Sequence, residues 1–175
     1  MFKSIAIATG ILAAAMTTPA HAGPADPEVP GTIAVTEPGH QVFLVGQATG
    51  VQVYTCDGST WNFDGPRAVL RDDRGKVVTT HFGGPTWQAK DGSYVVGQRA
   101  DGVTVDPSAI PWLLLSRKSS GSGPDGDRLE GTTFIQRVAT TGGLAPSPDT
   151  CTPSAAGTTT EVPYTADYYF WKRVD

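Results

Sequence analysis

The chain has few of the residues on which most enzyme chemistry depends. Its 175 residues include two cysteines and three histidines, and one of the histidines, His21, lies near the N-terminus. No G-x-S-x-G motif is present, the motif with which α/β-hydrolases present a serine nucleophile. No closely spaced pair of ligands of the kind common in zinc sites is present either. A catalytic triad or a metal site would therefore depend on His40 or His81.

The chain also lacks basic clusters and sustained helical patterns. Its formal net charge is −4, with no run of lysine and arginine that could follow a phosphate backbone, so we expect no nucleic-acid partner. After the first 22 residues no apolar run is long enough to cross a bilayer, so we expect no membrane insertion of the mature chain. No segment repeats its apolar residues every 3.6 positions, which predicts little helix.

The N-terminal segment has the pattern of a secretion signal. Lys3 supplies the positive charge, residues 5–16 form a short apolar run, and Ala20-His21-Ala22 gives the small-x-small cleavage pattern. We predict a signal peptide over 1–22, cleaved after Ala22, and a secreted protein. Residues 23–30 are rich in proline and polar residues and are predicted to be a flexible arm, followed by one domain over 31–175.

Export gives the two cysteines a predicted role. In an oxidising compartment Cys56 and Cys151 should pair, closing a loop of roughly 95 residues that the chain-entropy model relates to about 4–5 kcal/mol of stability. The alternative is two free, buried thiols. A disulfide would exclude both sulfurs from nucleophilic catalysis.

The remaining sequence predicts a β-protein. Short runs rich in β-branched and aromatic residues alternate with turns, and Asp91-Gly92 and the "DRG" ending at Gly75 are hairpin signals. We predict about nine strands in a single-domain antiparallel β-barrel or β-sandwich with one disulfide. The predicted strands are 41–46, 51–56, 67–72, 76–82, 86–89, 93–99, 111–117 (fully buried), 131–140 and 166–174.

Several segments together resemble a known family. "THFGGPTWQAKDGSYVVG", "IPWLLLSRKSSG", "TTFIQRVATTGGLAPSPDTC" and "VPYTADYYFW" are similar to small exported proteins of bacteria and fungi, defined only as a domain of unknown function. The resemblance runs from about Val29 to Trp171. It implies that Cys56 and Cys151 belong to a family framework, and it implies no activity. Some fungal members are labelled malate dehydrogenase, which this chain does not support because it lacks a strand–GxGxxG–helix unit.

Two tryptophans are the candidate ligand-binding residues. Trp61 and Trp87 lie beside turns rich in Asp, Asn, Gln and Thr, and a flat aromatic ring next to polar groups suits sugars and other amphipathic ligands. We predict a site formed by Trp61, Trp87 and Asp91, with His81 close by. The alternatives are that both tryptophans pack in the core and that His81 is a half-buried residue hydrogen-bonded at a strand end.

Three functions remain open from the sequence. The first is a non-enzymatic binding module for a glycan or a small amphipathic ligand, with no cofactor and no metal. The second is an exported hydrolase or metal-dependent enzyme centred on His81. A metal site would join both histidines with carboxylates such as Asp57 or Asp91. The third is an extracellular structural or stress protein without a small ligand. The oligomeric state is left open.

Overall fold

The chain folds almost entirely into β-strands. The computed structural model describes residues 23–174, and within them there is no α-helix and there are three 3-10 turns, at Gly31–Ile33, Pro148–Thr150 and Pro153–Ala155. The strands are β1 (His40–Cys56), β2 (Trp61–Arg71), β3 (Val77–Phe82), β4 (Thr86–Ala89), β5 (Tyr94–Val103), β6 (Trp112–Gly121), β7 (Thr132–Gly142) and β8 (Thr159–Arg173). The predicted all-β class is confirmed.

The eight strands form one closed antiparallel barrel. Each strand pairs with the next along the chain, and β1 pairs with β8 to close the sheet. This closing pair runs from His40 opposite Arg173 to Thr55 opposite Thr159. Of the two predicted architectures the structure is the barrel, which leaves no sheet edge unpaired.

Successive turns of such a barrel alternate between its two ends. The turns 57–60, 83–85, 104–111 and 143–158 share one end, which we call the disulfide end. Cys56, at the end of β1, is bonded there to Cys151 across a sequence separation of 95 residues, as predicted. The turns 72–76, 90–93 and 122–131 lie at the opposite end.

The barrel interior is filled mainly towards that opposite end. Strand residues alternate between the interior and the outer face, and the interior positions nearest the 72–76 and 90–93 turns are large and apolar. These side chains pack into one core cluster that includes Leu44, Leu70, Val78, Val95, Leu115, Leu129, Ile135 and Phe170. The positions nearer the disulfide end are more polar, and they form the cavity described below.

Two predicted hairpins are confirmed. Gly75 has a φ of 77° in the turn between β2 and β3, and Gly92 has a φ of 84° in the turn between β4 and β5. Glycine adopts this left-handed region without the steric penalty that a Cβ atom brings. Asp91 supports the second turn, because its Oδ1 accepts hydrogen bonds from the backbone N–H and the hydroxyl of Ser93 at 2.9 and 2.6 Å.

The prediction of two strands at 41–46 and 51–56 was wrong. The "QATG" segment between them continues β1 as a strand, in register with both β2 and β8. Gly50 is not among the glycines with a positive φ, so it does not turn the chain. It is needed because a Cβ there would lie 2.2 Å from the carbonyl oxygen of Arg67 on β2.

Five other strands extend beyond their predicted limits: β2 begins at Trp61, β5, β6 and β7 end at Val103, Gly121 and Gly142, and β8 begins at Thr159. The prediction that 111–117 is fully buried was wrong. β6 continues to Gly121 because it pairs with the start of β5. β8 begins at Thr159, and Pro163 is tolerated there because β7 does not pair beyond Tyr164. The segment 111–117 is only half-buried, and so is Trp112, because the outer face of a barrel strand contacts solvent.

The predicted arm lies against the barrel. Residues 23–30 have no regular secondary structure, and Asp26 to Val29 border a shallow depression together with Gln136 and Trp171. The predicted signal peptide over 1–22 lies outside the described residues. Within 23–174 no helix has the length and apolar character needed to span a bilayer.

Removing the disulfide should destabilise the barrel strongly. The Cys56→Ser, Cys151→Ser double variant frees a loop of 95 residues, so we expect its free energy of unfolding to fall by about 4 kcal/mol. Urea denaturation of the two proteins measures this, and a reductant should destabilise only the parent protein. Equal stability of parent and double variant would contradict the prediction.

Candidate functional site

A cavity of about 330 Å³ opens towards the disulfide end of the barrel. Its walls come from all eight strands and from the turn between β3 and β4. The lining residues are Gln52, Phe63, Asp64, Gly65, Pro66, His81, Gly84, Pro85, Trp87, Arg99, Leu113, Leu115, Arg137 and Tyr168. A volume of this size and a mixed apolar and polar lining are typical of small-molecule sites.

Two stacked rings form one wall of the cavity. His81 on β3 lies directly opposite Trp87 on β4, so both side chains point into the barrel. Their rings are almost parallel, with an interplanar angle of 6° and centroids 4.2 Å apart. The ring of Tyr168 meets both edge-on, at 5.3 and 5.5 Å. Gly97 leaves room for this stack, because a Cβ there would lie 3.1 Å from the Trp87 indole.

His81 is a neutral imidazole of fixed tautomer. Its Nδ1 lies 2.9 Å from the carbonyl oxygen of Thr86, and since a carbonyl can only accept, Nδ1 carries the proton. Burial lowers the pKa of His81 from 6.5 to about 3, with the Thr86 hydrogen bond opposing the shift and the charge of Arg137 adding to it. His81 therefore adds no positive charge to the cavity near neutral pH.

Two buried hydrogen-bond donors of the cavity lining lack partners. Among the described residues, Gln52 Nε2 and Trp87 Nε1 are fully buried atoms with no hydrogen bond, in side chains that are 2% and 1% exposed. Buried polar groups are nearly always satisfied, because leaving one unpaired costs about 1–3 kcal/mol. Both residues line the cavity through other atoms, so an acceptor held inside it would reach these nitrogens only after their side chains rotate.

The cavity also contains more positive than negative charge. Arg137 is half-buried on the inner face of β7, and Arg99 lies on β5 at the more exposed part of the lining. Within residues 23–174 neither arginine forms an ion pair; the ion pair there joins Arg67 to Glu161. Asp64 is the acidic lining residue, and its Oδ2 accepts a hydrogen bond from the hydroxyl of Thr55 at 2.5 Å.

The structure brings together two of the four predicted site residues. His81 and Trp87 meet in the cavity wall, and both are buried more deeply than a surface sugar platform requires. Trp61 lies at the disulfide end but not in the lining, and its Nε1 donates to the hydroxyl of Thr150 at 3.0 Å.

Asp91 lies in a turn at the opposite end of the barrel. Besides holding Ser93, its Oδ2 accepts a hydrogen bond from the backbone N–H of Arg128 at 3.0 Å. These hydrogen bonds, led by the one from Ser93, lower the pKa of Asp91. Through these hydrogen bonds Asp91 connects the 122–131 loop to the turn after β4.

The residues considered for a metal site are dispersed. His40, at the start of β1, donates from Nδ1 to the carbonyl of Glu37 at 3.2 Å. Asp57 accepts hydrogen bonds from Ser59, Thr60 and Asn62, which lower the pKa of its carboxyl, the bond from Asn62 contributing most. Within the part of the chain that the structure describes, no three His, Cys, Asp or Glu residues are grouped as metal ligands are.

Sequence reasoning missed several lining residues. Arg137 and Gln52 each sit at a position whose neighbours two residues away, Ile135 and Tyr54, are buried. A charged or amide residue in phase with the inward face of a strand is a signal that could have identified both. Phe63 is 55% exposed at the mouth of the cavity. It carries no such signal, because apolar and polar residues do not alternate regularly in the first half of β2.

Comparison with known proteins gives a family but no activity. The family model described as "Protein of unknown function (DUF3455)" matches residues 37–172. The chain belongs to this family. The match spans the whole barrel from just before β1 almost to the end of β8, so the family corresponds to the fold described here. No curated protein and no solved structure matches the chain.

The burial of His81 should make the protein acid-labile. Between pH 6.5 and 3 the unfolded chain binds a proton at His81 that the folded chain excludes, so stability must fall as the pH falls. From pH 7 to 4.5 we expect a loss of about 2–3 kcal/mol from this residue. The carboxyls with lowered pKa values act in the same direction, but only as the pH approaches their unfolded value of 3.8.

Urea denaturation at several pH values between 7 and 4.5 measures this loss. The His81→Phe variant keeps an aromatic ring against Trp87 and should show little change over this range. The His40→Gln variant is the matched control, because His40 is only half-buried, and it should retain the slope of the parent protein. A slope that persists in His81→Phe would show that another group is responsible.

Proposed function

We propose that this protein is an exported binding protein that holds a small amphipathic ligand inside its barrel. The observation that carries the proposal is the cavity of about 330 Å³ whose lining includes two buried donors without partners, Gln52 Nε2 and Trp87 Nε1. Apolar and aromatic walls provide contact area for a ligand, and a few oriented donors provide specificity. Export is supported by the signal-like N-terminal sequence and by the disulfide.

The geometry favours an amphipathic molecule over a sugar stacked on tryptophan. The indole of Trp87 is covered on one face by His81 and contacted edge-on by Tyr168 and Phe170. Sugar platforms need an open aromatic face, which Trp87 does not offer. Trp61 is more exposed, but no second aromatic ring of the described chain packs beside it to form a platform. A glycan therefore remains an alternative that depends on Trp61.

Calorimetric titration with naphthalene derivatives tests the proposal. We expect saturable one-to-one binding of 2-naphthoate or 2-naphthylmethanol to the protein comprising residues 23–175. Leu113 lines the cavity, so the Leu113→Trp variant should fill it and weaken binding at least tenfold, because lost volume excludes the ligand. The Gln88→Trp variant adds the same side chain on the exposed face of β4 and should bind normally.

Other outcomes would reject the cavity as the site. Binding that is equally strong in Leu113→Trp would place the ligand elsewhere on the protein. Binding of neutral oligosaccharides that Trp61→Ala abolishes, with the naphthalene derivatives inert, would favour the glycan alternative. No saturable binding of either class would leave the structural role or an enzymatic role centred on His81 as the better hypothesis.

A further inference from the structure

We propose, building on the proposed function, that the cavity selects organic acids and binds their carboxylate with Arg137 and Arg99. In this arrangement the carboxylate lies against the guanidinium groups and the apolar body of the ligand contacts Leu113, Leu115 and the rings of the wall. The ligand class is thus a small, largely apolar monocarboxylate.

Arg137 is anchored at the cavity without a counter-ion among the described residues. Its Nε and Nη2 donate to the carbonyl oxygen of Pro111 at 3.1 and 2.7 Å, which anchors the guanidinium but does not neutralise it. A half-buried charge without a counter-ion is costly, and proteins normally pair such a group. Because no carboxylate of residues 23–174 pairs with Arg137, a ligand carboxylate is the partner whose charge fits.

The polar groups that the lining leaves without partners are hydrogen-bond donors. Gln52 Nε2 and Trp87 Nε1 are both donors, and the guanidinium groups of Arg99 and Arg137 are donors without acceptor capacity. A carboxylate offers about four acceptor positions and no donor, so it complements such a lining. An ammonium group would be disfavoured, because its own donors and positive charge would face the donors and positive charge of the lining.

The charge of the cavity is opposite in sign to that of the whole chain. The formal net charge is −4, yet two arginines and one aspartate line the cavity while His81 is neutral. Arg99 is exposed, so it can meet an anion at the mouth, and Arg137 lies deeper. Arginine binds carboxylates with paired hydrogen bonds that lysine cannot reproduce, which suits a site that orients its ligand.

A matched pair of ligands separates this inference from the proposed function. Calorimetric titration at moderate salt compares 2-naphthoate with 2-naphthylmethanol, which share the ring system and differ in the charged group. We expect 2-naphthoate to bind at least tenfold more tightly. The Arg137→Gln and Arg99→Gln variants should each lose most of that preference while their affinity for the alcohol changes little. Arg128→Gln, which removes a positive charge at the opposite end of the barrel, should retain it.

Each other outcome has a definite meaning. If acid and alcohol bind equally, and Leu113→Trp blocks both, the binding function stands and the carboxylate inference is wrong. If neither binds, the proposed function itself is wrong. If Arg137→Gln does not fold, the ratio of the affinities for acid and alcohol is compared between the parent protein and Arg99→Gln. The Arg99→Gln variant should fold, because Arg99 is exposed and makes no ion pair within 23–174. A preference that survives in Arg99→Gln and in a folded Arg137→Gln overturns the inference.

Discussion

The pairing of the first strand with the last is the constraint on which the rest of the structure depends. β1 and β8 are the two longest strands, and their register extends over almost the whole of β1. This pairing closes a meander of hairpins into a barrel with an interior. The inward-facing side chains of every strand must therefore either pack against one another or line a cavity. It also fixes the disulfide, because Cys56 ends β1 and Cys151 lies in the loop that leads into β8.

The closed barrel is filled unevenly along its axis, and residue polarity explains why. Leucine, isoleucine, valine and phenylalanine occupy the interior positions near the 72–76 and 90–93 turns and pack into one cluster. Nearer the disulfide end the interior positions hold Gln52, His81 and Arg137. These side chains cannot interdigitate as an apolar core does without burying unpaired polar groups. The remaining volume is the cavity, and the His81–Trp87 stack forms one of its walls.

Much of the fold could be predicted from local sequence, whereas the site could not. Strand identity, the Asp91-Gly92 hairpin and the disulfide follow from residue types, spacing and compartment. The glycine of "QATG" was misread as a turn residue because close approach of a neighbouring backbone and a positive φ both require glycine, and sequence does not separate the two reasons. His81 and Trp87 share a hairpin, so local pairing brings them together. Arg137 reaches the same cavity only through closure of the sheet, which is a long-range event. Asp91 was placed beside Trp87 by sequence proximity, although the alternation of turns puts it at the other end of the barrel.

Stability alone does not explain why polar side chains occupy the barrel interior near the disulfide end. Leucine in place of Arg137 would extend the apolar surface formed by Ile135, Leu113 and Leu115 and would remove a half-buried charge. Replacing buried charged groups with apolar ones of similar volume is often neutral or stabilising. Likewise, the buried nitrogens of Gln52 and Trp87 lower stability while they remain unpaired. Functional sites are where proteins retain such costs. The hydroxyls of Thr79 and Thr132 are also buried without partners, but the costs within the cavity share one chemical character, that of hydrogen-bond donors with positive charge. Under the proposal made above, a ligand with acceptor groups and negative charge would relieve them together, and its binding would stabilise the folded barrel.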